Sequence, residues 1–316
     1  MDIITLNYPL PNVPPALQGK PLSLAVGHFD GVHRGHQNVI RKAVEAARRN
    51  GMLAGVMTFH PHPKEVLGQG DHYYSALTPL RDKTALFKEL GVDVVLVVQF
   101  DLNFAAVKPE QFIDEVLRPL QAKHVVVGFD FTFGYRGLGT PELLTKEGRP
   151  EIEVEIVEQL CERGVKVSST LVRAALEEGR VDEAALLLGR PYSVTGVVAH
   201  GDKRGRTIGY PTANVEIQER YVLPRLGVYA ITAEWNGKSF YGVMNLGKKP
   251  TFKAPGGETT LEAHLFDFHR EIYGDQLTIR FHSFIRSERK FGSVDELIEQ
   301  IHKDSATAKM RFELNG

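Results

Sequence analysis

The stretch Gly27–His36, GHFDGVHRGH, sets two imidazoles three residues apart among glycines. An apolar run, Leu22–Val26, leads directly into it. A helical pattern follows, with apolar Val39, Ile40, Ala43, Val44 and Ala47, and Gly51 stops it. Strand, glycine-bearing loop and helix start therefore come in that order. A helix start carries free N–H groups and a partial positive charge, which makes it an anion site. His33 and His36 add imidazole donors, and Gly35 would let backbone and ligand approach closely. The pattern reads as a phosphate cradle, pointing to a nucleotide enzyme; the alternative is an ordinary turn. Zinc is a weaker reading, because the chain has no HExxH, no CxxC and a single cysteine, Cys161.

Three further segments carry chemistry of the same kind. Ser168–Arg173, SSTLVR, opens a helical pattern at about Thr170; its hydroxyls would cap that helix, and a capped start with Arg173 nearby is also a polyphosphate site. Gly196–Asn214 is rich in glycine and basic groups and reads either as a surface loop or as a phosphate contact. If Pro211–Asn214 is extended, Thr212 and Asn214 project to one side, and a hydroxyl beside an amide oxygen suits a hard cation such as magnesium. In Thr260–Phe266, TLEAHLF, strand alternation puts Leu261, Ala263 and Leu265 on one face and Glu262 with His264 on the other. Glu262 is then a solvated sheet-face residue or a general base toward a hydroxyl.

Other residues admit both a structural and a chemical reading. Phe129, Phe131 and Phe133 alternate with polar residues, as core packing or ring stacking would require. His60 and His62 touch phosphate or shape a proline-rich turn. Arg286, Arg289 and Lys290 form a solvated basic turn or reach a ligand. The 254–257 stretch, APGG, reads as a turn.

These segments need elements to hold them. Leu22–Val26, Leu53–Phe59, Val92–Phe100, His124–Gly128 and Ile152–Val157 are β-rich and alternate with helical patterns at Gln37–Asn50, Pro79–Leu90 and Pro109–Leu120. That alternation predicts a parallel sheet covered on both faces, with ligands outside the carboxyl ends of its strands. The unusual loops at 27–36, 58–63 and 128–134 would then line one crevice. After about residue 190, Tyr192–Ala199, Gly227–Glu234, Phe240–Leu246, Thr259–Phe268 and Gln276–Ile285 read as strands of a small barrel. A helical pattern returns at Val294–His302, followed by a polar segment, Ser305–Leu314. Val181–Leu188 would join the halves.

Bulk properties bound the answer. A chain of 316 residues favours two domains, and 42% apolar with 24% charged residues is ordinary for a globular protein. The net charge of −1 disfavours a general nucleic-acid or membrane surface role. No apolar run approaches the roughly 18 residues of a membrane span. The N-terminus lacks the pattern of a secretion signal, and one cysteine fits a reducing compartment, so the cytoplasm is expected.

Taken in order, GHFDGVHRGH, TFHPHP, GFDFTFG, SSTLVR, GRTIGYPTAN, GVMNLGKKPTF, LEAHLFDF and RSERKFG resemble the bacterial bifunctional riboflavin kinase/FAD synthetase family over about residues 20 to 303. The resemblance implies a Rossmann-like HxGH nucleotidyltransferase module with a parallel sheet at 1–186. It also implies a riboflavin-kinase β-barrel with a terminal helix at 187–316. It implies ATP, riboflavin, FMN and FAD as ligands and magnesium as cofactor. His33 and His36 match the histidines that hold ATP phosphates, with Gly27, Phe29, Asp30 and Gly35 beside them. Ser168, Ser169, Thr170 and Arg173 match the second ATP motif. In the barrel, Gly201, Lys203, Gly205, Thr207 and Gly209 fall to ATP, Thr212 and Asn214 to magnesium, and Glu262 to the kinase's catalytic glutamate. His60, Asp130, Phe133, Arg286 and Arg289 are expected toward the flavin. His28 departs from the frequent Asn and Val172 from an Ile. Competing readings are another phosphate acceptor for the first module, and a flavin-binding or regulatory protein without turnover.

Overall fold

The computed structural model describes the chain except residues 11, 69–74, 163, 201–209, 250–257 and 314–316. Contacts divide it into two units, Met1–Ser169 and Thr170–Gly316. Helices of eight residues or more are labelled.

The first unit is built on six parallel strands: β1 (Asp2–Leu6), β2 (Leu22–Val26), β3 (Leu53–His60), β4 (Val94–Gln99), β5 (Ala122–Gly128) and β6 (Glu153–Val157). Their order is β1-β4-β3-β2-β5-β6. Every residue of β2 is buried, which is why its sequence is a continuous run instead of an alternation. Leu22, Leu24 and Val26 face one core with Phe104, Phe112, Ile113 and Leu144. Ala25 faces the other, beneath Val39, Ile40 and Ala43 of α1 (Arg34–Asn50) and Phe87 of α2 (Leu80–Glu89). Helices therefore cover both faces. Pro109–Gln111 continues as a π-helix, Phe112–Leu117, and α3 (Pro141–Gly148) closes the same side.

Strand order reverses beside β2, since β3 and β4 lie on one flank and β5 and β6 on the other. In such sheets the crevice opens outside the carboxyl ends at the reversal. Here those ends are residues 27–33 after β2 and 129–134 after β5. β1 and α3 are additions to the expected elements. β1 is an edge strand paired only with β4, and its first three residues are largely exposed, so it lacks the long apolar run of the inner strands.

The second unit is a closed antiparallel barrel in the order β10-β13-β12-β11-β14-β9. Its strands are β9 (Tyr192–Ala199), β10 (Ala213–Ile217), β11 (Gly227–Trp235), β12 (Lys238–Lys249), β13 (Glu258–Leu265) and β14 (Gln276–Arg286); β7 (Cys161–Glu162) and β8 (Val165–Lys166) form a separate hairpin that belongs to the first unit. Inward residues fill the barrel: Tyr192, Val194, Tyr229, Met244, Leu261, Ala263, Ile279 and Phe281 are all buried. The strand expected to run to Phe268 ends at Leu265. The two patterns read at the C-terminus are one helix, α6 (Val294–Glu313). It lies on the outside of β11 and β12, where Ala308 meets Val228, Ala230 and Val243. That second cover explains why seven successive residues of β11 are buried. α4 (Ser169–Glu177) and α5 (Val181–Leu188) precede the barrel, and α5 packs on β9 and β14.

α6 is fastened by an ion pair between its buried Asp304 and the half-buried Arg286 of β14. Asp304 accepts from Arg286 Nε at 2.9 and 3.0 Å and from Nη2 at 2.8 Å, and from Gln300 Nε2 at 2.9 Å. Removing one partner of such a pair leaves an uncompensated buried charge. Asp304→Ala should lower the stability of the second unit by about 3 kcal/mol, measured by urea unfolding followed at the barrel's tryptophan. An unchanged midpoint would show that the pair makes no net contribution.

Candidate active sites

In the first unit the helix start is built by a histidine. His33 is the N-cap of α1, with φ −68° and ψ 169°, and its Nδ1 accepts the His36 amide at 3.2 Å. The cap lets α1 begin three residues before the expected Gln37. An accepting Nδ1 places the ring proton on Nε2, which leaves a donor for a ligand. The His36 ring stacks on His33 at 3.5 Å between centroids and 18° between planes. Gly35 has a reason other than the one expected: a Cβ there would meet the His33 ring at 3.2 Å, so the missing side chain makes room for that imidazole.

Burial dominates the electrostatics of both rings. It pushes His33 down to about 4, with the nearby Asp30 carboxylate partly opposing it. It also pushes His36 down, reinforced by the charge of His33 and Lys83. His28 is lowered in the same way. Both HxGH rings are neutral donors near pH 7.

The loop is braced from below. Asp30 accepts from Leu77 N at 3.3 Å and Thr78 N at 3.2 Å, and its carbonyl accepts Ser169 Oγ at 2.9 Å. The His28 carbonyl accepts Thr58 Oγ1 at 2.9 Å and Lys83 Nζ at 2.8 Å. Phe29, at φ 54°, turns its ring into the core against Phe87. Phe29 and Asp30 were expected at ATP; their side chains are instead structural, and only their backbone is left to face a ligand. Ser169 Oγ donates to the Asp30 carbonyl within the first unit. Ser168 precedes it, and Thr170 and Arg173 follow on α4 in the second unit.

Across the crevice, the loop after β5 carries Asp130, paired with Lys166 Nζ at 2.7 Å, while that ammonium stands 4.5 Å from the Phe129 ring centroid. Asp130 and Lys166 both act electrostatically on His33, which joins this loop to the HxGH site. Phe133, expected at the flavin, is buried between Phe112 and Phe131 and packs the core; the exposed ring is Phe129. His60 is exposed at the end of β3. His62 accepts the Lys64 amide at 3.0 Å and packs edge-on against His28 at 4.0 Å, so it does shape the turn.

In the second unit the site lies on the outer wall of the barrel. Strand register sets Asn214 beside Glu262, Glu262 beside Asn245, Asn245 beside Val228, and Val228 beside Arg286. Cross-strand partners share a face, so these form one row across five strands. A cavity of about 280 Å³ opens over it, lined among others by Thr212, Glu262, His264, Arg289 and, from α6, Ile301. Leu261, Ala263 and Leu265 point the other way into the core, as alternation requires. His264 Nδ1 lies 2.9 Å from the Pro211 carbonyl and steadies the segment before Thr212. Arg286 is in the cavity wall, but its guanidinium is held by Asp304. Arg289 stacks on Phe291 at 4.7 Å. Gly201, Lys203, Gly205, Thr207, Gly209 and the 254–257 turn lie outside the described residues.

Two matches now divide the chain as the two sites do. Residues 17–171 match a family model described as FAD synthetase, and residues 188–312 match one described as riboflavin kinase. A Bacillus subtilis (strain 168) protein named bifunctional riboflavin kinase/FMN adenylyltransferase is 47% identical over 291 residues, covering 92% of each chain. The chain belongs to the bifunctional riboflavin kinase/FMN adenylyltransferase family. An Escherichia coli (strain K12) member is 41% identical over 294 residues, 92% of this chain and 93% of that one. A solved Streptococcus pneumoniae structure described as a macrolide-efflux protein superposes with a TM-score of 0.86 at 35% identity, covering 95% of this chain and 97% of that one. Among the described residues of this family member, no helix is long and apolar enough to cross a membrane.

Sequence reasoning passed over Asn245, Phe291, Asp304 and Lys83. Lys83 did leave a signal: helical spacing puts it three residues from both Leu80 and Leu86, on a face that should be apolar. Asn245 becomes visible only once register is known.

His33 makes stability pH-dependent. An unfolded imidazole takes its proton near 6.5, but the folded one resists it down to about 4. Between those values the unfolded chain binds more protons, so the contribution is complete above 6.5 and is lost as pH falls toward 4. His33→Asn keeps a capping acceptor without the ring. Urea unfolding at pH 7 and pH 5 should show a smaller loss for the variant than for the natural chain; equal losses would remove His33 from the account.

Proposed function

We propose that the protein makes FMN and then FAD: the barrel transfers the γ-phosphoryl group of ATP to riboflavin, and the first unit transfers an adenylyl group from a second ATP to FMN. The observation that carries this reading is that each unit has its own polar site, the histidine-capped start of α1 in one and the Asn214–Glu262–Asn245 row in the other. We take the kinase module as 187–316 and the adenylyltransferase module as 1–186, and the compartment as the cytoplasm, which the free thiol of Cys161 suits.

In the barrel, Glu262 stands centrally in the outer row, flanked by two amides and facing the cavity. It accepts the proton of the ribityl 5′-hydroxyl as that oxygen attacks the γ-phosphorus, and ADP leaves. Thr212 and Asn214 offer neutral oxygen donors near this carboxylate. Such a set fits magnesium, whose remaining ligands would be phosphate oxygens and water. Bound there, the ion would offset charge on the transferring group. Arg289 and Phe291 offer a cationic and an aromatic surface to the flavin; Arg286, tied to Asp304, shapes the wall.

In the first unit, a phosphate oxygen of FMN attacks the α-phosphorus of ATP, and pyrophosphate leaves. The nucleophile is already anionic near neutral pH, since the second pKa of a phosphate monoester is about 6. No base is needed. His33 Nε2–H, His36, the backbone of Gly27–Gly35 and the hydroxyls of Ser168 and Ser169 position the triphosphate and receive its charge. Asp130, His60 and Phe129 border the acceptor's side.

Two variants separate the activities. Glu262→Gln should lower FMN formation by about 10²–10⁴-fold and leave FAD formation from supplied FMN intact. His33→Ala combined with His36→Ala should do the reverse. Chromatography of flavins after incubation with ATP and magnesium reads both, and joint loss in either variant would contradict separable sites.

A further inference from the structure

Lys83 is the one buried lysine or arginine among the described residues, at 4% exposure. Its ammonium carries three N–H donors, yet only one contact is made, to the His28 carbonyl at 2.8 Å. Among the described residues it has no ion pair. Holding an ammonium away from water is unfavourable unless other groups compensate it. A chain that keeps one in such a place gains something from the charge.

Its position says what. The His28 carbonyl that it grips belongs to the loop opening the HxGH site, and Thr58 of β3 holds the same oxygen. Lys83 thus fastens α2 to that loop. The groups that face it are Asp30 and His28 from the loop and His36 from α1, with His62 beyond His28. Asp30 attracts the ammonium, but its carboxylate is also engaged by the amides of Leu77 and Thr78. His28, His33 and His36 are neutral for the reason given above, so the cradle's own rings supply no net charge. Lys83 is the fixed charge beneath them.

We propose that Lys83 is a positioning residue for adenylyl transfer: through the His28 carbonyl it sets the loop, and its ammonium provides the positive potential under the phosphates of the bound nucleoside triphosphate. This rests on reading the first unit as the adenylyltransferase. Burial lowers the ammonium to about 8, with Asp30 opposing. The charge is therefore present at neutral pH and lost as pH rises through about 8.

The test uses the full chain with FMN, ATP and magnesium, and FAD formation as readout. Lys83→Met should lower FAD formation by about 100-fold, the scale of a misplaced reacting group, while riboflavin phosphorylation by the barrel stays unchanged. In the natural chain FAD formation should decline between pH 7 and pH 9.5. Lys83→Arg, whose guanidinium keeps its proton throughout, should retain activity at pH 7 and lack that decline. FAD formation within twofold of the natural chain in Lys83→Met would overturn the inference. So would identical pH profiles for the natural chain and Lys83→Arg, which decides the matter even if the Met variant does not fold. A natural chain that phosphorylates riboflavin but makes no FAD would instead overturn the assignment of the first unit.

Discussion

The bond from the His36 amide to Nδ1 of His33 ties helix, loop and anion site together in the first unit. It closes the start of α1, which would otherwise leave that amide to water. It also fixes the tautomer, so the remaining N–H points away from the helix. The stacked His36 ring and the missing side chain of Gly35 follow from having an imidazole, and not a hydroxyl, at the cap. Because the two rings shield each other from water, neither holds a proton at neutral pH. Charge under the site must come from elsewhere, and Asp30, Lys83 and Lys166 are arranged around that need.

The barrel solves a different problem. A polar row can stand on a sheet only if the opposite face supplies the cohesion, and inward Leu261, Ala263, Met244 and Tyr229 do so. The outer face is then divided. Part is dry beneath Ala308 and Phe312 of α6, and part stays open as the cavity over Glu262. The Arg286–Asp304 pair stands at the border between these regions. One helix thus seals a satellite core and walls the site.

Much of this was legible in the residues. The inner strands of the sheet announced themselves as apolar runs, and α5 was read at its exact bounds because Gly189 ends it in the left-handed conformation. Alternation placed Glu262 and His264 opposite the barrel core without any structure. Contacts that depend on distant segments were not legible. β1 has no strong pattern because an edge strand buries little. That Gly35 also accommodates the ring of His33 was not legible, because no spacing rule says which way that ring folds. Phe29 and Phe133 lie within glycine-bearing motifs, and only packing shows that their rings face inward. The division of labour at Arg286 needed the partner on α6.

The placement of the second site on the outside of its barrel separates two kinds of selection along the same strands. From Leu261 to Leu265, odd positions answer to close packing and even ones face the cavity. A drift in interior volume would register first as lost cohesion, and a change in acceptor preference could accumulate on alternate residues without disturbing it. Such a wall is free to explore new small molecules while its foundation stands still.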